Sequence, residues 1–247
     1  MLRRLIVGFA VIAPIVLLLL WPHAPLAGLG ILALSHALLL YPTLRPNVQW
    51  LGPVITAFEP DGNDLWLTID DGPADDTPAI LDALDARGVK ATFFVKGVLA
   101  RRRPDLIRSM IERGHGVGNH SDTHPSGSFW RLFPADIAAE IDGCAKAIPS
   151  TRWFRAPVGM KNPGVHPALR RRGMRLIGWS VRGFDATRGD VESIVRRIVP
   201  RVFPGAIVVM HQGRAWSAEC IARVVDELRA SGYGFVIPAD DRLKTKR

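Results

Sequence analysis

Cysteine is nearly missing from this chain: 247 residues hold two, Cys144 and Cys220, in no metal-type spacing. That excludes a disulfide framework and a zinc finger, and it leaves the redox compartment open. No helix-turn-helix pattern is visible, nor a platform of interleaved aromatic and basic residues. No nucleic acid is therefore expected as a partner. Acidic charge is the scarcer sign: Lys and Arg outnumber Asp and Glu by 32 to 23, a formal +9. Such an excess suits a membrane surface or a phosphate-bearing substrate.

What is present begins with Met1-Leu2-Arg3-Arg4 and two apolar runs, 5–21 and 26–41, split by Pro22-His23-Ala24-Pro25. Each run has about the minimum length for crossing a bilayer, and residues 1–41 read as a hydrophobic helical hairpin. Pro14 does not forbid a span. The competing reading is a signal peptide, with Arg3 and Arg4 as its basic start. Against it, no small-x-small cleavage site follows Trp21, and the second run begins at once. Arg3 and Arg4 favour a cytoplasmic N-terminus. Two crossings put the rest of the chain on the cytoplasmic face of the cell membrane; one crossing puts it on the extracytoplasmic face. Residues 42–63, with Pro42, Pro46, Pro53 and Pro60, read as a linker, and 241–247 as a basic tail.

Between them, 64–240 alternates strand and helix signals. Strands are expected at Leu65–Ile69, Ala91–Val95, His115–Gly118, Trp153–Arg155, Leu176–Trp179, Ala206–Met210 and Tyr233–Ile237. Helices have readable ends: Thr77 as cap before Pro78, Pro104 and Pro134 at first positions, Gly88, Gly114 and Gly232 as stops. This alternation predicts an α/β fold with a parallel sheet, open or closed as a barrel. In a barrel, functional groups gather at the C-terminal ends of strands.

Two clusters carry the chemistry. Leu65-Trp66-Leu67-Thr68-Ile69 runs straight into Asp70-Asp71-Gly72-Pro73. Neighbouring side chains on a strand point to opposite faces, so both acids reach one cavity only if the chain bends. Buried acids are costly unless paired or bound to a metal. The second cluster is His120-Ser121-Asp122-Thr123-His124. Histidines at i and i+4 share one face of a helical turn, and two His with one carboxylate leave open positions of a catalytic metal site.

Downstream stand Phe154-Arg155-Ala156-Pro157-Val158-Gly159, Asp185 and Val209-Met210-His211. With these the chain resembles the polysaccharide deacetylases with a NodB homology domain, a carbohydrate esterase family. Thr68-Ile69-Asp70-Asp71-Gly72-Pro73, Ala91–Gly97, His120-Ser121-x-x-His124, Arg155-x-Pro157-x-Gly159 and Val209-Met210-His211 match its motifs in order. The resemblance implies a distorted, incomplete (β/α) barrel over 64–240. It implies that Asp71, His120 and His124 hold a divalent metal, usually zinc in that family. Asp70 would be general base and His211 general acid. Arg155 would pair with Asp70, Asp185 would orient His211, and the Val158 N–H would bind the oxyanion. The implied activity is N-deacetylation of an N-acyl amino sugar on a glycan or a lipid-linked sugar phosphate, with membrane lipid as a further partner. A wall or extracellular polysaccharide is the alternative substrate, and a non-catalytic carbohydrate-binding member of the fold is the alternative class.

Two departures bear on the substrate pocket. Val158 stands where the family often has Tyr, and Arg182-Gly183-Phe184-Asp185-Ala186 replaces Asp-x-x-Asp-Trp. Arg182 and Arg188 are candidates to meet an anionic substrate. Phe129, Trp130 and Trp216 are candidates for stacking on sugar rings, for the core or for a membrane-facing surface.

Overall fold

The computed structural model describes residues 1–187 and 190–245. Two helices open it, α1 (Leu2–Leu20) and α2 (Pro25–Leu44). They pack closely: a Cβ at Gly28 would lie 2.8 Å from the Leu17 side chain. Pro25 starts α2, where its missing N–H interrupts no helical bond. The apolar residues of the pair face outward, Leu18 73% and Leu26 82% exposed, a surface unsuited to water. Both helices are long and apolar enough to cross a membrane.

The remaining elements follow in order: β1 (Ala57–Phe58), β2 (Asp64–Gly72), α3 (Thr77–Asp85), β3 (Thr92–Val95), α4 (Gly97–Arg102), α5 (Pro104–Glu112) and β4 (Gly116–Asn119). Then come α6 (Pro134–Ala145), β5 (Trp153–Phe154), α7 (Val165–Arg171), β6 (Arg175–Leu176) and β7 (Val181–Arg182). The chain ends with α8 (Val191–Ile198), β8 (Ile207–His211), α9 (Ser217–Ala230), β9 (Gly234–Phe235) and β10 (Leu243–Lys244). Among the described residues, eight strands form one parallel sheet in the order β6-β5-β4-β3-β2-β8-β7, with β9 beside the start of β2. The sheet curls into a partial barrel.

Strand alternation sorts the core. Leu65, Leu67 and Ile69 of β2 point outward, into a cluster with Ile80 and Leu84 of α3 and Val224 of α9. Trp66, Phe94, Ile207 and Val209 point inward with Trp179. Burial on both faces is why these strands read as unbroken apolar runs.

Residues 42–63 are more than a linker. Leu51 and Val54 are buried, Ile55 bridges to Ile177, and Ala57 bridges to Ala206. The segment thus links the chain just after β6 to the chain just before β8 and satisfies backbone groups that an incomplete barrel leaves open. The stretch read as a basic tail supplies β10, which pairs antiparallel with β1. Only Lys246 and Arg247 of it lie outside the described residues. The cap of α3 is also displaced by one residue. Asp76 precedes the helix, and the Thr77 hydroxyl instead accepts from the Ala74 N–H and donates to Gln212 Oε1.

Candidate active site

Asp70 and His211 are partners in the β2–β8 register. Each lies an even number of positions from an inward residue of its strand, Trp66 and Val209, so both turn to the barrel interior. A regular strand would turn Asp71 outward. Instead the β2–β3 register shifts between Asp70 and Gly72, and Asp71 takes φ 79°. This is the bend that adjacent acids require. It leaves the Asp71 carboxylate at the mouth of the barrel.

The histidines reach the same place by a different route from the one expected. Residues 120–124 form no helical turn; they make a loop after β4 with positive φ at Ser121 and His124. Side-chain acceptors hold that loop. Asn119 Oδ1 accepts from Ser121 N–H, and Glu140 accepts from the N–H groups of Asp122 and Thr123. A bidentate Arg101–Asp122 pair braces the outside. The sequence reading missed Asn119 and Glu140. Their signal was only an amide before the motif and an acid on the helix that follows it.

Asp71 Oδ1 lies 3.5 Å from His124 Nε2 and 3.9 Å from His120 Nε2. One ligand atom from each of the three falls within 4.8 Å of the others. His120 Nδ1 is 2.9 Å from the Arg155 carbonyl oxygen, to which its N–H donates, so Nε2 keeps a free lone pair. Burial pulls both imidazoles below their ordinary value, His124 to about 3, and keeps them neutral. Burial opposes ionisation of Asp71. The positive charges of the Lys96 ammonium and of His211 beyond it overcome this and hold the carboxyl well below the ordinary range. Asp71 Oδ1 is buried and forms no hydrogen bond, although Lys96 Nζ lies 3.0 Å away as an ion pair. An orphaned carboxylate oxygen beside two neutral imidazoles fits a divalent cation. Lys96, at the end of β3, was also missed, because a single Lys after an apolar strand carries no signal.

Beneath this group lies Arg155, fully buried. Its Nη1 donates to Asp70 Oδ1 at 2.7 Å and to Thr68 Oγ1, and its Nη2 to the Gly178 carbonyl. The guanidinium also lies 4.2 Å from the Phe94 ring centroid. Burial lowers its proton affinity while Asp70 opposes that, and arginine stays charged. On the other side Asp185 grips His211 twice: Oδ1 is 3.0 Å from Nδ1, and Oδ2 accepts the His211 main-chain N–H at 2.6 Å. Burial would depress this imidazole, but the hydrogen bond and charge of Asp185, with Asp70 and Asp71 beyond, raise it above its ordinary value.

Val158 adopts φ 49° with its side chain 44% exposed, and its N–H has no partner among the described residues. Arg182 stacks on Phe184, 4.1 Å from the ring centroid, with Trp179 at 5.7 Å, while Arg188 lies outside the described residues. The aromatic candidates separate. Phe129 is core, Trp216 Nε1 donates to the Asp185 carbonyl, and Trp130 lies beside Leu39 and Leu40 of α2.

A curled parallel sheet with paired acids, two histidines and an acid-braced histidine at its strand ends defines a barrel hydrolase. The chain belongs to the polysaccharide deacetylase family. The family's sequence profile matches residues 58–177. A chitooligosaccharide deacetylase of Bradyrhizobium sp. is 35% identical over 189 residues, 72% of this chain and 84% of that protein. A peptidoglycan-N-acetylglucosamine deacetylase of Bacillus cereus is 32% identical over 78% of this chain and 94% of that one. The family 4 carbohydrate esterase from Streptomyces lividans, solved with acetate, superposes with a TM-score of 0.68 at 29% identity, covering 74% of this chain and 96% of that one. The chain is accordingly an amidohydrolase of the polysaccharide deacetylase type.

Proposed function

We propose that this chain is a membrane-anchored, divalent-metal-dependent N-deacetylase of N-acyl amino sugars. The observation that carries the reading is the convergence of Asp70, Asp71, His120, His124 and His211 on one barrel mouth. Asp71, His120 and His124 would hold the cation, with zinc the metal that suits the donor set. Such a cation lowers the pKa of water and polarises an acyl carbonyl.

Asp70, paired with the Arg155 guanidinium, takes a proton from the attacking water. Water oxygen bonds to the acyl carbon, and the carbonyl electrons move onto oxygen. The Val158 N–H donates to that oxyanion. His211, held as imidazolium by Asp185, gives its proton to the sugar nitrogen as the C–N bond breaks. Acetate and a free amine leave.

A lipid-linked sugar phosphate is the substrate we favour. The loop carrying Val158 is tied to the foot of the hairpin: the Lys161 N–H donates to the Thr43 carbonyl, and its ammonium donates to the carbonyls of Arg45 and Pro46. This supports an active-site rim at the membrane surface. Phe133, 76% exposed beside Leu39 and Leu40 of α2, supports the same level. With two crossings and Arg3 and Arg4 inside, the catalytic part faces the cytoplasm. The relatives' names favour a second reading, a chitin-like or peptidoglycan polymer, which needs the domain outside. Acetate release is measured from both substrate classes with and without chelator, beside C-terminal reporter fusions that report the side of the membrane. Chelator-insensitive turnover, or an extracytoplasmic reporter with polymer-only activity, would overturn the respective part.

A further inference from the structure

A cavity of about 940 Å³ lies where the start of α1 meets the outer edge of the sheet. Arg3, Arg4, Arg170, His166 and Trp50 line it, together with apolar Leu2 and Leu5, and none of the proposed catalytic residues does. A second hollow opens beside it between Arg4, Arg170 and Arg171. Neither lining contains an Asp or Glu. Arg4, Arg170 and Arg171 form no ion pair among the described residues, whereas arginines elsewhere, such as Arg87, Arg113 and Arg172, do.

Clustered cations without counter-charges repel one another, and a site of one sign with low-dielectric walls focuses its field on an anion. The field is felt locally. Burial, then the charges of Lys161, Arg3 and Arg170, press the His166 imidazole down to about 4, and its Nε2 is buried without a hydrogen bond. Guanidinium groups match phosphate oxygens in pairs. Arg3 and Arg4 sit on the first turn of a helix suited to crossing a bilayer, the depth at which phosphates lie. Leu2, Leu5 and Trp50 offer apolar contact next to the charge.

We propose that this junction binds the phosphate headgroup of an anionic glycerophospholipid, with its glycerol and upper acyl chain against the apolar wall. The inference rests on the membrane-anchored reading above. Such a lipid would fix the height and tilt of the catalytic part over the bilayer, separately from substrate capture.

The full-length protein in detergent is titrated with short-chain phosphatidylglycerol or phosphatidylcholine, and bound lipid is counted by native mass spectrometry. Phosphatidylglycerol is retained roughly ten- to thirtyfold better. Arg4→Gln with Arg170→Gln abolishes the preference, and Arg4→Lys with Arg170→Lys keeps most of it. Equal retention of the two lipids, or an unchanged preference in the Gln variant, overturns the proposal. Displacement of the lipid by millimolar inorganic phosphate assigns the site to a free anion and overturns it too. Alkaline carbonate washing tests the anchor separately: a released chain sinks the membrane reading, whereas a retained chain without lipid preference sinks this inference alone.

Discussion

The ammonium of Lys161 lies 2.8 Å from the main-chain oxygen of Arg45, the residue that follows α2. It lies equally close to the Pro46 oxygen, and the whole side chain is sealed from solvent. Gly159 packs in the same place, where a Cβ would come within 2.6 Å of Pro46 and of the Trp179 ring. The apolar hairpin and the Val158 loop are therefore one mechanical unit.

Lys161→Met removes the ammonium donor from both carbonyls; the Arg45 oxygen keeps only the Val48 N–H and the Pro46 oxygen is left unpaired, at about 1–3 kcal/mol. A lowered melting temperature is expected, and a fall in kcat larger than any change in KM if the loop positions the Val158 donor. A variant with normal kcat and only reduced stability would separate the strut from catalysis.

Metal content follows the Asp71 group. His124→Ala and Asp71→Ala should each weaken zinc binding by more than the roughly 10–100-fold that outer-shell changes cost. Metal analysis after dialysis against a graded chelator reads this directly. Full occupancy in either variant would remove the site assignment.

Lys96 opposes that same cation. Its ammonium sits 3.0 Å from Asp71 Oδ1, in the space a metal charge would influence. Replacing it with Met should tighten zinc binding several-fold in a competition titration with a coloured chelator. Unchanged or weaker binding would assign Lys96 a different task.

The pH profile tests His211. Its raised proton affinity keeps the imidazolium present to higher pH than an ordinary histidine, so kcat falls only as pH climbs through that raised value. Asp185→Asn removes the hydrogen-bonded charge and should shift the alkaline limb to lower pH, with kcat reduced about 10²–10⁴-fold. An unmoved limb would mean that another group donates the proton.

Much of this molecule could be read along the chain. Prolines at the first positions of α5 and α6, and glycines after α3, α5 and α9, bounded helices, because those signals act through neighbouring backbone atoms. The inward phase of Asp70 and His211 follows from alternation alone, and the ordered motifs picked out acids and histidines that the fold brings close together. Other features depend on distant partners. Asp71 joins the site through a register shift against β3, and the 120–124 loop takes its shape from Asn119 and Glu140 rather than from helical spacing. The proline-rich stretch before β2 looked like a tether because its hydrogen-bond partners, Leu176, Gly178, Gly205 and Lys244, lie more than a hundred residues away. Local sequence determined the elements and the chemistry they carry; the closure of the barrel, the turn of the second acid and the docking of the hairpin arose only from tertiary contacts, since backbone groups left unpaired by a local motif must find partners wherever the fold supplies them.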